Sequence, residues 1–133
     1  MPSAIKALQE CVDYAAAKGI FVGVENHGKL TPEQVLQIIA GVKSEWFGVN
    51  LDSGNFVSDS PYEDLALCAP FAVNVQLKHT MKRPSGETYK SDWNRVAEIL
   101  KKVKYRGYVV LEFEDAEPFK HVPDLMKSLR EHF

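Results

Sequence analysis

Apolar residues recur along this chain in two alternating rhythms. Over residues 3–18, Ile5, Leu8, Val12, Ala15 and Ala16 fall at helical spacing, and Gly19 supplies a stop. Residues 20–25 form a β-branched run that predicts a strand. Thr31-Pro32-Glu33-Gln34 predicts a helix start, with Thr as N-cap, Pro at the first helical position and Gln closing a capping box. Val35, Ile38, Ile39 and Val42 continue that helix on one face, and a second strand is expected over residues 46–52. Ser60-Pro61-Tyr62-Glu63 repeats the cap-Pro-x-Glu signal and opens a short helix through Cys68. A third strand, residues 72–79, leads into a polar loop, residues 81–90, long enough to be functional. Ser91 or Asp92 then caps a helix carrying Trp93, Val96, Ile99, Leu100 and Val103. The fourth strand is expected over residues 108–114, and a last helix carries Val122, Leu125, Met126 and Leu129.

One helix followed by strand–helix units predicts a parallel sheet with right-handed crossovers. Strand parity then separates two faces. Val22, Val24, Val49, Leu51, Val73, Val75, Leu77, Val109, Leu111 and Phe113 make one face wholly apolar. The other carries Phe21, Gly23, Glu25, Gly48, Asn50, Asp52, Asn74, Gln76, Lys78, Val110, Glu112 and Glu114. An open α/β sheet has helices on both faces and is apolar on both. A face that turns polar toward each strand's C-terminal end suits a barrel wall with a polar mouth.

Composition narrows the classes. The 133 residues, 45% apolar and 26% charged with a net charge of −2, describe an ordinary soluble domain, residues 1–133. No apolar run approaches the roughly 20 residues of a membrane span, and no signal-peptide core opens the chain. With 16 Lys+Arg against 18 Asp+Glu, charge does not point to nucleic acid. Cys11 and Cys68 lack CxxC spacing, which argues against a disulfide scaffold or a thiolate zinc site. They fit small buried side chains in a reducing cytoplasm, the expected location.

The candidate chemistry lies at the strand ends. Glu25, Asp52, Gln76 and Glu112 place one potential oxygen ligand on the same face of each successive strand. Strand ends are polar wherever they meet solvent, but four on one face point to a site. Three converging carboxylates repel one another and raise each other's pKa values unless a cation is present. Such oxygen donors favour Mn²⁺ or Mg²⁺ over Zn²⁺ as the divalent cofactor.

The runs Val24-Glu25-Asn26-His27-Gly28, Asn50-Leu51-Asp52-Ser53-Gly54-Asn55, Val75-Gln76-Leu77-Lys78 and Val110-Leu111-Glu112-Phe113-Glu114 resemble strands five to eight of the xylose isomerase-like barrels. That superfamily includes sugar-phosphate isomerases, ketose 3-epimerases, inosose dehydratases and the endonuclease IV barrel. The resemblance implies the C-terminal half of a (β/α)₈ TIM barrel: four parallel strands alternating with helices, preceded by one helix. It also implies metal ligands Glu25, Asp52, Gln76 and Glu112, with Gln76 standing where the family usually has His. The implied reaction is metal-dependent isomerisation or epimerisation of a sugar or sugar phosphate through an enediolate. Glu25 and Glu112 would exchange protons on opposite sides of the sugar carbon. His27, Asn55, Lys78 and His79 are candidates for binding substrate. Lys78 could neutralise an oxyanion or pair with Glu112 or Glu114, and residues 81–86 form a basic loop suited to anion capture.

A second reading is a catalytically inactive half-barrel or fragment that binds a ligand or partner without turnover. A third, abasic-site endonuclease activity, is disfavoured by the scarcity of histidine and the lack of basic character. At 133 residues the chain is about half of a (β/α)₈ barrel of roughly 250 residues. Two unpaired strand edges and an open inner face are then expected, and with them self-association as a homodimer of half-barrels, or truncation from a longer chain.

Overall fold

Each apolar stripe becomes a helix and each β-branched run a strand of one sheet. The computed structural model describes residues 2–28 and 30–133. Helix α1 (Pro2–Ala16) ends before Gly19, whose φ of 69° carries no Cβ penalty in glycine. After strand β1 (Val22–Glu25), helix α2 (Pro32–Gly41) opens on the capping box. Thr31 Oγ1 accepts from the Gln34 N–H at 3.4 Å, and Gln34 Oε1 accepts from the Thr31 N–H at 3.0 Å. Strand β2 (Phe47–Asp52) and helix α3 (Pro61–Cys68) come next. Ser60 departs from expectation: its side chain makes no cap bond, and its carbonyl instead accepts from the N–H groups of Glu63 and Asp64. A 3₁₀ turn (Ala69–Phe71) enters strand β3 (Ala72–Lys78).

The expected loop over residues 81–90 is a hairpin. Strands β4 (Thr80–Lys82) and β5 (Thr88–Lys90) pair antiparallel, Met81 opposite Tyr89, around a turn in which Gly86 takes φ 90°. Met81 is buried beneath it. One inward residue per short strand is too weak a period-two signal to register in sequence. Asp92, not Ser91, caps helix α4 (Trp93–Lys102), accepting from the Arg95 N–H at 3.2 Å. Strand β6 (Val109–Glu112) stops short of Glu114, and helix α5 (Pro118–His132) closes the order.

The main sheet runs β1-β2-β3-β6 with every neighbouring pair parallel. Its core face packs Val49, Leu51, Val75 and Leu77 against Val35, Leu65, Trp93, Val96, Leu100 and Leu129 of the helices. Val12, Ile38, Val42 and Phe47 form a second cluster that seats α1. Each such side chain contributes about 1.5–3 kcal/mol of hydrophobic stabilisation. On the other face, Phe21 and Val110 remain about half exposed.

One core assignment is corrected by a bulge. Val49 opposes Ala72 but Asn50 opposes Asn74, so Val73 is an inserted residue. Its side chain lies over Gly48 and Gly23 on the inner face, not on the helix face. A Cβ at Gly48 would collide with Val73 and with the Phe71 carbonyl, so only glycine fits beneath the bulge. The extra residue also sets the phase of the remainder of β3. Without it, Gln76 and Lys78 would point into the helices rather than beside Asp52. Among the described residues, no helix is long and apolar enough to cross a membrane.

Candidate functional site

Asp52 ends β2 with its side chain wholly buried. It is held there by Asn26, the residue after β1, which is also wholly buried. Asn26 Oδ1 accepts from the Asp52 N–H at 2.7 Å, and its Nδ2 donates to the Asp52 carbonyl at 2.9 Å. The carboxylate's Oδ1 accepts from the Gly54 N–H at 2.7 Å. Its Oδ2 has no hydrogen-bond partner, and neither does the buried Oε2 of Glu112 on β6.

Lys78 stands between these carboxylates. Its ammonium lies 3.6 Å from Asp52 Oδ2, 3.5 Å from Glu112 Oε1 and 2.9 Å from Glu114 Oε1. The backbone at Lys78 is fixed on both sides: its N–H donates to Ser53 Oγ at 2.9 Å, and its carbonyl accepts from Trp93 Nε1 at 2.9 Å. Burial pushes the Asp52 carboxyl up to about 7, helped by the neighbouring Glu112, while the Gly54 N–H and Lys78 pull it down. Burial lowers Lys78, but the bond to Glu114 and the charges of Asp52 and Glu112 outweigh it and leave the ammonium raised. Glu114 is correspondingly lowered, chiefly by its bond to Lys78.

The flanking strand ends are engaged with amides. Glu25 Oε1 accepts from Asn55 Nδ2 at 3.1 Å. Gln76 Oε1 accepts from Asn50 Nδ2 at 2.5 Å, and Asn50 Oδ1 accepts from Asn74 Nδ2 at 2.8 Å. Asp52 and Glu112 therefore meet around Lys78, while Glu25 and Gln76 lie on the same face with other partners. Among the described residues, no three His, Cys, Asp or Glu side chains are gathered in metal-holding geometry. The orphaned oxygens of Asp52 and Glu112 nonetheless fit a hard cation, since buried carboxylate oxygens without partners are costly. Those two residues could hold a divalent ion, with Glu25 and Gln76 as further oxygen donors.

Of the substrate-binding candidates, Asn55 touches Glu25 and Lys78 sits at the centre. His27 is exposed on the loop after β1. His79 points elsewhere: it pairs with Asp115 at 3.0 Å and stacks on Phe113 at 5.3 Å, lining a cleft between the hairpin and α5. Sequence reasoning missed Asn26 and Ser53, whose hydrogen bonds cross from one strand end to the next. Their one visible signal is their position directly after Glu25 and Asp52.

Residues 1–132 match the family described as xylose isomerase-like TIM barrel. A xylose isomerase domain protein from Planctomyces limnophilus superposes with a TM-score of 0.74 at 19% identity, over 96% of this chain and 51% of its own. The apo form of 3-keto-D-glucoside 4-epimerase from E. coli gives 0.74 at 20% identity, over 96% of this chain and 52% of its own. The likeness is one of fold, and the chain spans about half the length of each of these structures. No curated protein matches it.

Proposed function

The chain belongs to the xylose isomerase-like TIM-barrel family, and from that premise we propose that it is a metal-dependent isomerase or epimerase of a sugar or sugar phosphate. The observation that carries this reading is the pair of buried, partnerless oxygens on Asp52 and Glu112 at the C-terminal strand ends. Asp52 and Glu112, with Glu25 and Gln76, would hold a divalent ion, Mn²⁺ or Mg²⁺ by donor type, which would polarise the substrate carbonyl. Glu25 and Glu112 then move protons on opposite sides of the carbon beside that carbonyl, giving an enediolate between the two transfers. Asn55 orients Glu25 by its bond to Oε1. Lys78 supplies positive charge where oxygen becomes negative.

The test is thermal. Mn²⁺ or Mg²⁺ added to chelator-treated protein is expected to raise Tm by several degrees, and Glu112→Gln to remove the rise. No shift with either ion in the unaltered chain would overturn the metal assignment. Deuterium uptake from D₂O into a ketose would then report turnover.

A second reading is favoured by Lys78 itself, which already compensates the carboxylates internally. On it, the domain binds a ligand without turnover, and metal-loaded protein leaves every sugar free of deuterium. The open edges of β1 and β6 support pairing with another barrel half on either reading, from a second copy or the rest of a longer chain.

A further inference from the structure

Two arginines lie over aromatic rings outside the carboxylate site. The Arg83 guanidinium, in the hairpin turn, sits 4.6 Å from the Tyr89 ring centre, and that of Arg95, on α4, sits 4.2 Å from Tyr62. Both line one cleft of about 400 Å³, together with Ser58, Asp59 and Ser85. Tyr62 is buried and its hydroxyl accepts from the Asp92 N–H at 2.7 Å, so the ring beneath Arg95 is fixed. A guanidinium stacked by its face keeps its edge for a forked bond to an oxyanion. Arg95 has no carboxylate within ion-pair distance among the described residues. Arg83 meets Glu87 through Nε at 3.1 Å, but that pair is more than half exposed and weak. Asp59 is the one other carboxylate lining the cleft.

The cleft adjoins another. It shares Ser58 and Pro84 with a second cleft of about 510 Å³, lined also by Asn55, Phe56 and Val57. Asn55 is the residue bonded to Glu25. A track of two adjoining clefts therefore leads from Asn55, the partner of Glu25, past Pro84 to the two arginines.

We propose that Arg83 and Arg95 form a subsite for the phosphoryl group of a phosphorylated sugar whose body lies along this track. The substrate assignment rests on the isomerase or epimerase reading; the anion site does not. Two guanidiniums match the charge of a phosphomonoester, and the adjoining cleft accounts for the part of the molecule that inorganic phosphate lacks.

Calorimetric titration of the whole chain in chelator, with inorganic phosphate, fructose 6-phosphate and fructose as probes, tests this. Fructose 6-phosphate is expected to bind at least tenfold more tightly than either of the others. Arg95→Gln and Arg83→Gln should each weaken it about tenfold, while Lys101→Gln, on the far end of α4, should not. Arg95→Lys, which keeps charge but loses the fork, should fall between, and guards against misfolding of the glutamine variant. Equal affinity for phosphate and the sugar phosphate would mean an adventitious ion only and overturn the proposal. Undiminished binding in both arginine variants would do the same. Retained fructose 6-phosphate binding without any metal-induced rise in Tm would sink the isomerase reading and leave the subsite standing.

Discussion

The Lys78 ammonium stands 3.6 Å from Oδ2 of the fully buried Asp52, within reach of its charge but beyond a hydrogen bond. The aspartate is thus compensated by Coulomb attraction without being properly solvated. Burial dominates, and its carboxyl rises to about 7. An unfolded aspartate titrates near about 3.9. Between those values the folded chain keeps a proton that the unfolded chain has released. Asp52 thus makes stability fall as pH rises from about 4 to about 7, then level off. Asp52→Asn should remove that slope and raise Tm near pH 8 in chelator, while abolishing any metal-induced rise. Melts followed by circular dichroism across this range check it; an unchanged slope would mean Asp52 is ionised throughout.

Removing the cation tests the other half of the pair. In Lys78→Met, Asp52 and Glu112 lose the charge that faces them both. Breaking a buried ion pair from one side costs roughly 3–5 kcal/mol. Glu112 is partly solvated, so the lower end is expected, seen as a reduced urea midpoint in chelator. Mn²⁺ should restore much of it by taking over the role of the ammonium. A loss that Mn²⁺ leaves untouched would separate Lys78 from any cation site.

Asn26 offers a purely structural counterpart. Its side chain satisfies both the N–H and the carbonyl of Asp52, with no exposure of its own. Asn26→Ala strands both groups in the interior, at about 1–3 kcal/mol for each. A drop of roughly 2–6 kcal/mol in urea unfolding is expected, and the metal-induced rise in Tm should shrink as Asp52 loses its anchor. A drop below about 1 kcal/mol would show that water replaces the amide.

The strand ends were legible because they obey a period of two: Glu25, Asp52, Gln76 and Glu112 could be placed on one face by counting. The inserted Val73 was not, because counting assumes an unbroken ladder, and a bulge is decided by the partner strand. It pushed one apolar residue inward and kept Gln76 and Lys78 in phase with Asp52. Asn26 and Ser53 act through backbone groups 25 or 26 residues away, a pairing that local pattern does not encode. His79 shows the converse. It follows Leu77 in parity and so belongs with the helix face, where it meets Phe113 and Asp115. Its place directly after Lys78 made it a substrate-binding candidate, and its side chain instead meets Phe113 and Asp115.

The open sheet yields one more expectation. Strands β1 and β6 are the edges of the main sheet, and Phe21 at 56% and Val110 at 48% exposure lie on the face opposite the helices. Unpaired parallel edges beside an uncovered apolar surface favour association. Sedimentation velocity at tens of micromolar should therefore show species larger than 15.0 kDa. Val110→Lys places a charge on that face of an edge strand and should shift the distribution toward monomer without lowering Tm. The position is already half exposed, so the substitution buries no charge in the core. A wild-type chain that stays monomeric across this range would show that the inner face is shielded well enough by Lys78 and its carboxylates to stand alone in water.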